Sequence, residues 1–346
     1  MWLFHFRSGG EFKTKSKSNA EGIGHAVRCL RVRKTAERKF GIKSCVVVNS
    51  NKVSRALLKT RGVDIYFDES VLHDDLFMQG IEVVVTDINY LDSHYFDLYS
   101  KHSISVCLAP RGIGKYLADI AFKDIFFSDA NNAHNSNIYS GLEYVVTGDR
   151  FSKAREKIVS GRLKKDARNI IISMGGLDQF DMTSSAVTGL IGLPEQWNVK
   201  IIIGPVYQYV KQLTKKVKKL NCSVEIIRDP YYLYDIMASS NFGIFGSGIV
   251  SYEGIGLGLT CLNVSHSDFH RDRAEELESL GVGIYAGDAS RIKEGDLCKL
   301  ILKSLNNEKV EAMRKKGMNL VDNNGADRII RSVINFLSDE KNKSTF

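Results

Sequence analysis

Little in this sequence of 346 residues points to a membrane or to secretion. No stretch approaches the roughly 18 uninterrupted apolar residues of a membrane-spanning helix. The apolar start, Met1-Trp2-Leu3-Phe4-His5-Phe6-Arg7, is too short for a signal-peptide core, and no cleavage pattern follows it. It reads as a first buried strand in a cytoplasmic protein. Cysteine is sparse and scattered: Cys29, Cys45, Cys107, Cys222, Cys261 and Cys298 form no C-x-x-C pair, and no histidine stands at zinc-finger spacing. Most lie inside apolar runs, so they read as reduced thiols serving as small core hydrophobes. The G-x-x-x-x-G-K-[ST] pattern is missing, which excludes a P-loop NTPase. No G-x-S-x-G elbow accompanies a triad, and no H-E-x-x-H is present. Short-period repeats and low-complexity tracts are missing as well.

What is present is an ordinary globular composition, 43% hydrophobic and 25% charged, in a chain long for one core. Short β-branched runs alternate with amphipathic stretches. Strands are expected at 2–7, 43–49, 83–87, 103–108, 124–128, 169–174, 199–204, 223–228, 242–245 and 259–263. Helical stretches lie between them, the first over Ile23–Phe40. Runs such as Val46-Val47-Val48 and Ile170-Ile171-Ile172 suit strands buried on both faces of parallel sheets. The pattern restarts near residue 169. It implies a first Rossmann-like domain over 1–150, a Lys/Arg-rich connecting helix and linker over 151–168, and a second such domain over 169–335, followed by a polar tail expected to fray. Two doubly wound halves place a ligand at the carboxyl ends of their strands, across a central cleft. The net charge of +8 implies an anionic partner whose class charge alone leaves open. The lysines are dispersed, and no reading helix or aromatic–basic interleaving marks a nucleic-acid binder.

Three glycine turns carry the chemistry. Gly22-Ile23-Gly24-His25-Ala26-Val27-Arg28 opens the first long helix, where free N–H groups can hold an anion. His25, in its first turn, either serves as a general base near neutral pH or merely caps the turn. Ser173-Met174-Gly175-Gly176-Leu177-Asp178 follows a strand directly and is either backbone kept bare for a ligand or a plain tight turn. Phe245-Gly246-Ser247-Gly248 leads into a helix carrying Glu253, a candidate partner for ribose hydroxyls or else a surface glutamate. Asp87-Ile88-Asn89-Tyr90 closes a strand of the first half, with Asp87 as sugar contact, proton partner or helix cap. His266, Asp268 and His270 read as a polar loop of the site, with a metal the lesser alternative.

In this order the motifs resemble the nucleotide-sugar hydrolase of pseudaminic acid biosynthesis and the related spore-coat polysaccharide proteins. Both groups resemble the peptidoglycan N-acetylglucosaminyltransferase and its GT-B architecture. The resemblance rests on 22–30, 87–91, 141–146, 175–178 and 246–253 and runs from about residue 22 to 285. It implies a metal-free and cofactor-free enzyme that cleaves UDP from a 2,4-diacetamido-2,4,6-trideoxyhexose. His25 would activate water with Asp87 beside it; Gly22, Gly24, Arg28 and Tyr90 would contact substrate. Gly175, Gly176, Gly246, Ser247 and Gly248 would hold the pyrophosphate, Glu253 the ribose, and Asp178 and His270 would lie at the nucleotide. A glycosyltransferase, with His25 deprotonating an acceptor hydroxyl and the basic surface contacting an anionic membrane, is the alternative. A non-catalytic nucleotide-sugar binding protein is the third reading.

Overall fold

A computed structural model of the chain describes residues 1–8, 23–49, 51–88, 93–109, 114–123, 137–175, 178–204, 207–228, 230, 233–305 and 310–343, with the backbone alone at 23, 53, 114 and 115. The chain forms two compact units, Met1–Thr147 with Asn324–Phe346, and Gly148–Asn323.

In the first unit the strands are β1 (Trp2–Phe6), β2 (Ser44–Val48), β3 (Phe67–Asp68), β4 (Val83–Asp87), β5 (Ile104–Leu108), β6 (Ile120–Lys123) and β7 (Ile138–Ser140). Helices α1 (Ile23–Phe40), α2 (Lys52–Thr60), α3 (Asp75–Gln79), α4 (Ser93–Ser100) and α5 (Gly114–Leu117) connect them. Among the described residues the sheet is parallel throughout, in the order β3-β2-β1-β4-β5-β6-β7. Strand alternation sorts β1 between two cores. Trp2, Phe4 and Phe6 pack with Ala26, Cys29 and Val32 of α1, while Leu3 faces Leu72, Met78 and Tyr99 on the other side. Burying each such aliphatic or aromatic side chain contributes roughly 1.5–3 kcal/mol. The expected strand at 124–128 lies outside the described residues; β6 occupies the four residues before it.

The second unit carries β8 (Asn169–Ser173), β9 (Asn198–Ile203), β10 (Ser223–Arg228), β11 (Phe242–Gly246), β12 (Thr260–Ser265) and β13 (Ile284–Asp288). Its helices are α6 (Asp149–Val159), α7 (Met182–Thr188), α8 (Val210–Val217), α9 (Leu233–Ser239), α10 (Ile249–Gly256), α11 (Asp268–Ser279), α12 (Glu294–Leu305) and α13 (Val310–Leu320). Its sheet, also parallel, runs β10-β9-β8-β11-β12-β13. Both sheets reverse strand order at one place, between β1 and β4 and between β8 and β11, the switch points where doubly wound sheets take their ligands.

Two stretches differ from the sequence reading. The segment read as a connecting helix and linker does begin with a helix, α6, but that helix belongs to the second unit, where it buries Phe151 and Ala154; Arg155 donates to the backbone carbonyls of Gly256 and Met318. At the other end, α14 (Gly325–Lys343) packs on the first unit rather than continuing the second. Its apolar stripe, Ile329, Ile330 and Val333, fills the core beside α1. The tail expected to fray is helical to Lys343, and Lys341 Nζ reaches Glu82 at 2.8 Å.

All six cysteines are free; five are buried, and Cys298 is half-buried. Among the described residues no helix is long and apolar enough to cross a membrane.

Candidate functional site

Helix α1 places His25 and Arg28 on one face, three residues apart. Asp87, the last residue of β4, is fully buried beneath them. Arg28 grips it through Nε to Oδ2 and Nη2 to Oδ1, both at 2.7 Å, the fork geometry that guanidinium and carboxylate share. Burial works against the charged carboxyl, but Arg28 and His25 outweigh it and hold Asp87 below the usual range. An ionised carboxylate only accepts, so the 2.8 Å contact of His25 Nδ1 with Oδ1 puts the proton on Nδ1. Arg28 Nη2 also lies 3.2 Å from that nitrogen. Two donors cannot bond each other; they share Oδ1. In the neutral imidazole the lone pair then sits on Nε2, which has no partner among the described residues. His25 is also the member that reaches solvent, its side chain 13% exposed against 8% for Arg28 and 0% for Asp87. The structure thus brings together His25, Arg28 and Asp87. Gly24 lies exposed in the same first turn; Gly22 and Tyr90 lie outside the described residues.

In the second unit the switch point is lined by backbone. Gly175, just past β8, has φ +87°, a conformation that disfavours any side chain. At the neighbouring end of β11, a Cβ on Gly246 would stand 2.7 Å from His266 Nε2 and 3.0 Å from the Met174 carbonyl. Glycine is therefore required there by its neighbours. Ser247 is buried with its Oγ unpartnered, and so is His266 Nε2. Burial lowers the His266 pKa, with Asp178 opposing, so this imidazole is neutral at neutral pH. No side chain caps α10, which starts after Gly248.

Other expected residues have tasks within the fold. Asp178 is buried and accepts from the N–H groups of Met182 and Thr183, both at 2.9 Å, securing the start of α7. Glu253 is not a surface glutamate: it is buried on α10 and accepts from Tyr234 Oη at 2.7 Å. His270 lies in the first turn of α11, with Nδ1 2.9 Å from the helix cap Ser267 Oγ. Gly176 lies outside the described residues.

Sequence reasoning missed two groups. Arg271 and Asp288 pair at 2.7 Å, with Asp288 also taking the hydroxyls of Ser265 and Tyr285 and held near a pKa of about 2 mainly by the arginine. The other joins His5, Arg7 and Glu69 at the carboxyl end of β1. Its signal was the alternation of β1, which puts residues 3, 5 and 7 on one face and makes a histidine and an arginine neighbours in an otherwise apolar strand.

No family model matches the sequence. The chain is 23% identical over 324 residues to the spore coat polysaccharide biosynthesis protein SpsG of Bacillus subtilis, covering 89% of this chain and 93% of that protein. It is 20% identical over 266 residues to MJ1062 of Methanocaldococcus jannaschii, covering 72% of this chain but 54% of that protein, so it spans about half the length of that relative. Among solved structures, MurG of Acinetobacter baumannii superposes with a TM-score of 0.69 at 14% identity, covering 95% of this chain and 98% of MurG. The fold is GT-B. HepE of Anabaena, solved with UDP and glucose, has the same architecture, with a TM-score of 0.59 at 12% identity over 98% of this chain and 100% of HepE. The two doubly wound α/β units expected from the strand pattern are those found.

Proposed function

We propose that this chain is a nucleotide-sugar hydrolase of surface-polysaccharide synthesis, with His25 as general base. The observation that carries it is the 2.8 Å contact of His25 Nδ1 with the buried Asp87 carboxylate, which leaves Nε2 as the free ring nitrogen of a partly exposed side chain. Water would give a proton to Nε2 as its oxygen bonds the anomeric carbon, and the bond from that carbon to UDP would break. Asp87 would stabilise the imidazolium that forms. UDP is a good leaving group, so the demand on the protein is to orient water and to meet the charge on the departing phosphate. In the second unit the bare backbone at Gly175, Gly246 and Gly248, with Ser247 Oγ, suits the diphosphate. Glu253, held by Tyr234, is our candidate for the ribose. The likeness to SpsG supports the pathway class, and HepE, bound to UDP and glucose, supports the ligand class. The motif resemblance points to a 2,4-diacetamido-2,4,6-trideoxyhexose as the sugar.

The test is UDP release from a panel of UDP-sugars, including 2,4-diacetamido sugars, without acceptor. His25→Ala should lower the rate about 10²–10⁴-fold, the usual contribution of a positioned general base. Release by the variant at the wild-type rate would remove His25 from the mechanism. UDP that appears only when a hydroxyl acceptor is added would make the chain a glycosyltransferase with the same base.

A further inference from the structure

We propose that Arg7 is a ligand-binding residue of the first unit, presenting its Nη1 donors to an uncharged oxygen, hydroxyl or carbonyl, of the substrate's glycosyl group. This inference rests on the nucleotide-sugar reading above. Arg7 directly follows β1, at the carboxyl edge of the sheet and beside the β1/β4 switch point. Strand alternation sends it to the face opposite Asp87 and His25.

A chain of hydrogen bonds holds it there. His5 is fully buried in β1, and burial lowers its pKa, so the imidazole is neutral, with one donor and one acceptor nitrogen. The neighbours assign them. Nε2–H donates to Glu69 Oε1 at 2.7 Å, and Nδ1 accepts from the buried Tyr99 hydroxyl at 2.5 Å. Glu69 then takes Arg7 Nε on Oε1 at 2.6 Å and Nη2 on Oε2 at 2.9 Å. Arg7 Nη2 also donates to the Tyr95 hydroxyl, and the guanidinium lies 5.0 Å from the centre of that ring. These contacts engage Nε and Nη2 but leave Nη1 without a partner among the described residues.

A surface ion pair needs no such foundation. Exposed Arg–Glu pairs contribute about 0–1 kcal/mol, whereas burying an imidazole and a phenol carries a desolvation cost unless every polar atom is matched. Here both nitrogens of His5, the Tyr99 hydroxyl and both oxygens of Glu69 are matched, and the exposed end is the arginine, its side chain 33% accessible against 0% for His5. The result is a donor locked in one orientation before any ligand arrives, the arrangement that makes a binding group effective. Its charge is already balanced by Glu69. A phosphate there would meet a neutral pair with a carboxylate behind it, while a hydroxyl or carbonyl oxygen needs only the two directed N–H groups.

The experiment compares calorimetric binding of UDP, UDP-glucose, UDP-N-acetylglucosamine and a UDP-2,4-diacetamido sugar to wild type, Arg7→Gln and Arg7→Lys. Lysine can keep the ion pair with Glu69 and guards against a folding defect. Both variants should lose about tenfold in affinity for at least one sugar nucleotide while UDP binds as before, the effect of one charge-assisted hydrogen bond. A second measurement needs no variant: phenylglyoxal modification of Arg7, read by peptide mass, should be slowed by a bound sugar nucleotide but not by UDP. Unchanged sugar-nucleotide binding in both variants, equal losses for UDP, or labelling indifferent to the sugar would overturn the proposal while leaving the nucleotide-sugar reading intact. Failure of the wild type to bind UDP or any sugar nucleotide would overturn both.

Discussion

The first unit twice joins a histidine, a carboxylate and an arginine, in opposite order of burial. His25, Asp87 and Arg28 stand on one face of the β1–β4 pair; His5, Glu69 and Arg7 stand on the other. In the first group the arginine is buried and the histidine reaches solvent. In the second the histidine is buried and the arginine reaches solvent. The carboxylate in the middle is alike in both, ionised and bonded to both neighbours. What differs is the atom offered outward: an imidazole lone pair, suited to moving a proton, or a guanidinium N–H, suited to holding an oxygen. The functional groups are the same in kind, and burial decides which of them is offered.

The largest effect that would break this contrast is on rate. Asp87→Asn keeps the shape but can donate an amide N–H to His25 Nδ1, turning the Nε2 lone pair into an N–H; UDP release should fall about 10²–10⁴-fold. Glu69→Gln, with no proton-transfer group outward, should leave the turnover rate within a few-fold and act on sugar-nucleotide binding. Equal rate losses in both would abolish the distinction. Next comes stability. Arg28→Met strands a fully buried carboxylate and should cost about 3–5 kcal/mol in denaturant unfolding. Arg7→Met removes a partner from a half-exposed pair and should cost about 1 kcal/mol or less.

The smallest effect is on acid resistance. Burial opposes ionisation of Glu69, but its bonds to His5 and Arg7 prevail and lower its pKa from the ordinary 4.5 to about 2. A lowered folded-state value means that the stabilisation is complete above about 4.5 and is lost as pH falls towards about 2. Glu69→Gln should flatten the part of the acid-unfolding profile in that window, followed by circular dichroism. An unchanged profile would place the acid sensitivity elsewhere, with Asp87 as the next carboxylate to replace.

The two groups were not equally legible. His25 and Arg28 lie three apart on an evident helix after a glycine turn, and Asp87 closes an evident strand, so each was readable from its local pattern. That they meet depends on β1 pairing with β4, a contact between distant parts of the chain. The second group was hidden by its own packing. His5 stands among Trp2, Leu3, Phe4 and Phe6, and a histidine in such a run reads as core. Glu69 starts a short 3-10 helix over Glu69–His73, whose signal was too brief to read. In the second unit the glycine turns stand at strand ends, as read, while Asp178, read as a contact, uses both its oxygens to secure α7. An acidic residue after a glycine pair fits either task, and only the backbone path of the next helix separates them.

The return of α14 to the first unit bears on how the protein is made. The second unit is one uninterrupted stretch, with every strand synthesised by Asn323. The first unit begins at Met1 yet lacks Ile329, Ile330 and Val333 against α1 until α14 has been translated. Domains commonly close in the order in which they leave the ribosome. Here that order is reversed: the half begun first is completed last. During translation the sheet of the first unit can already cover one side of α1, but the part of that core that α14 fills stays open while the entire second unit is built.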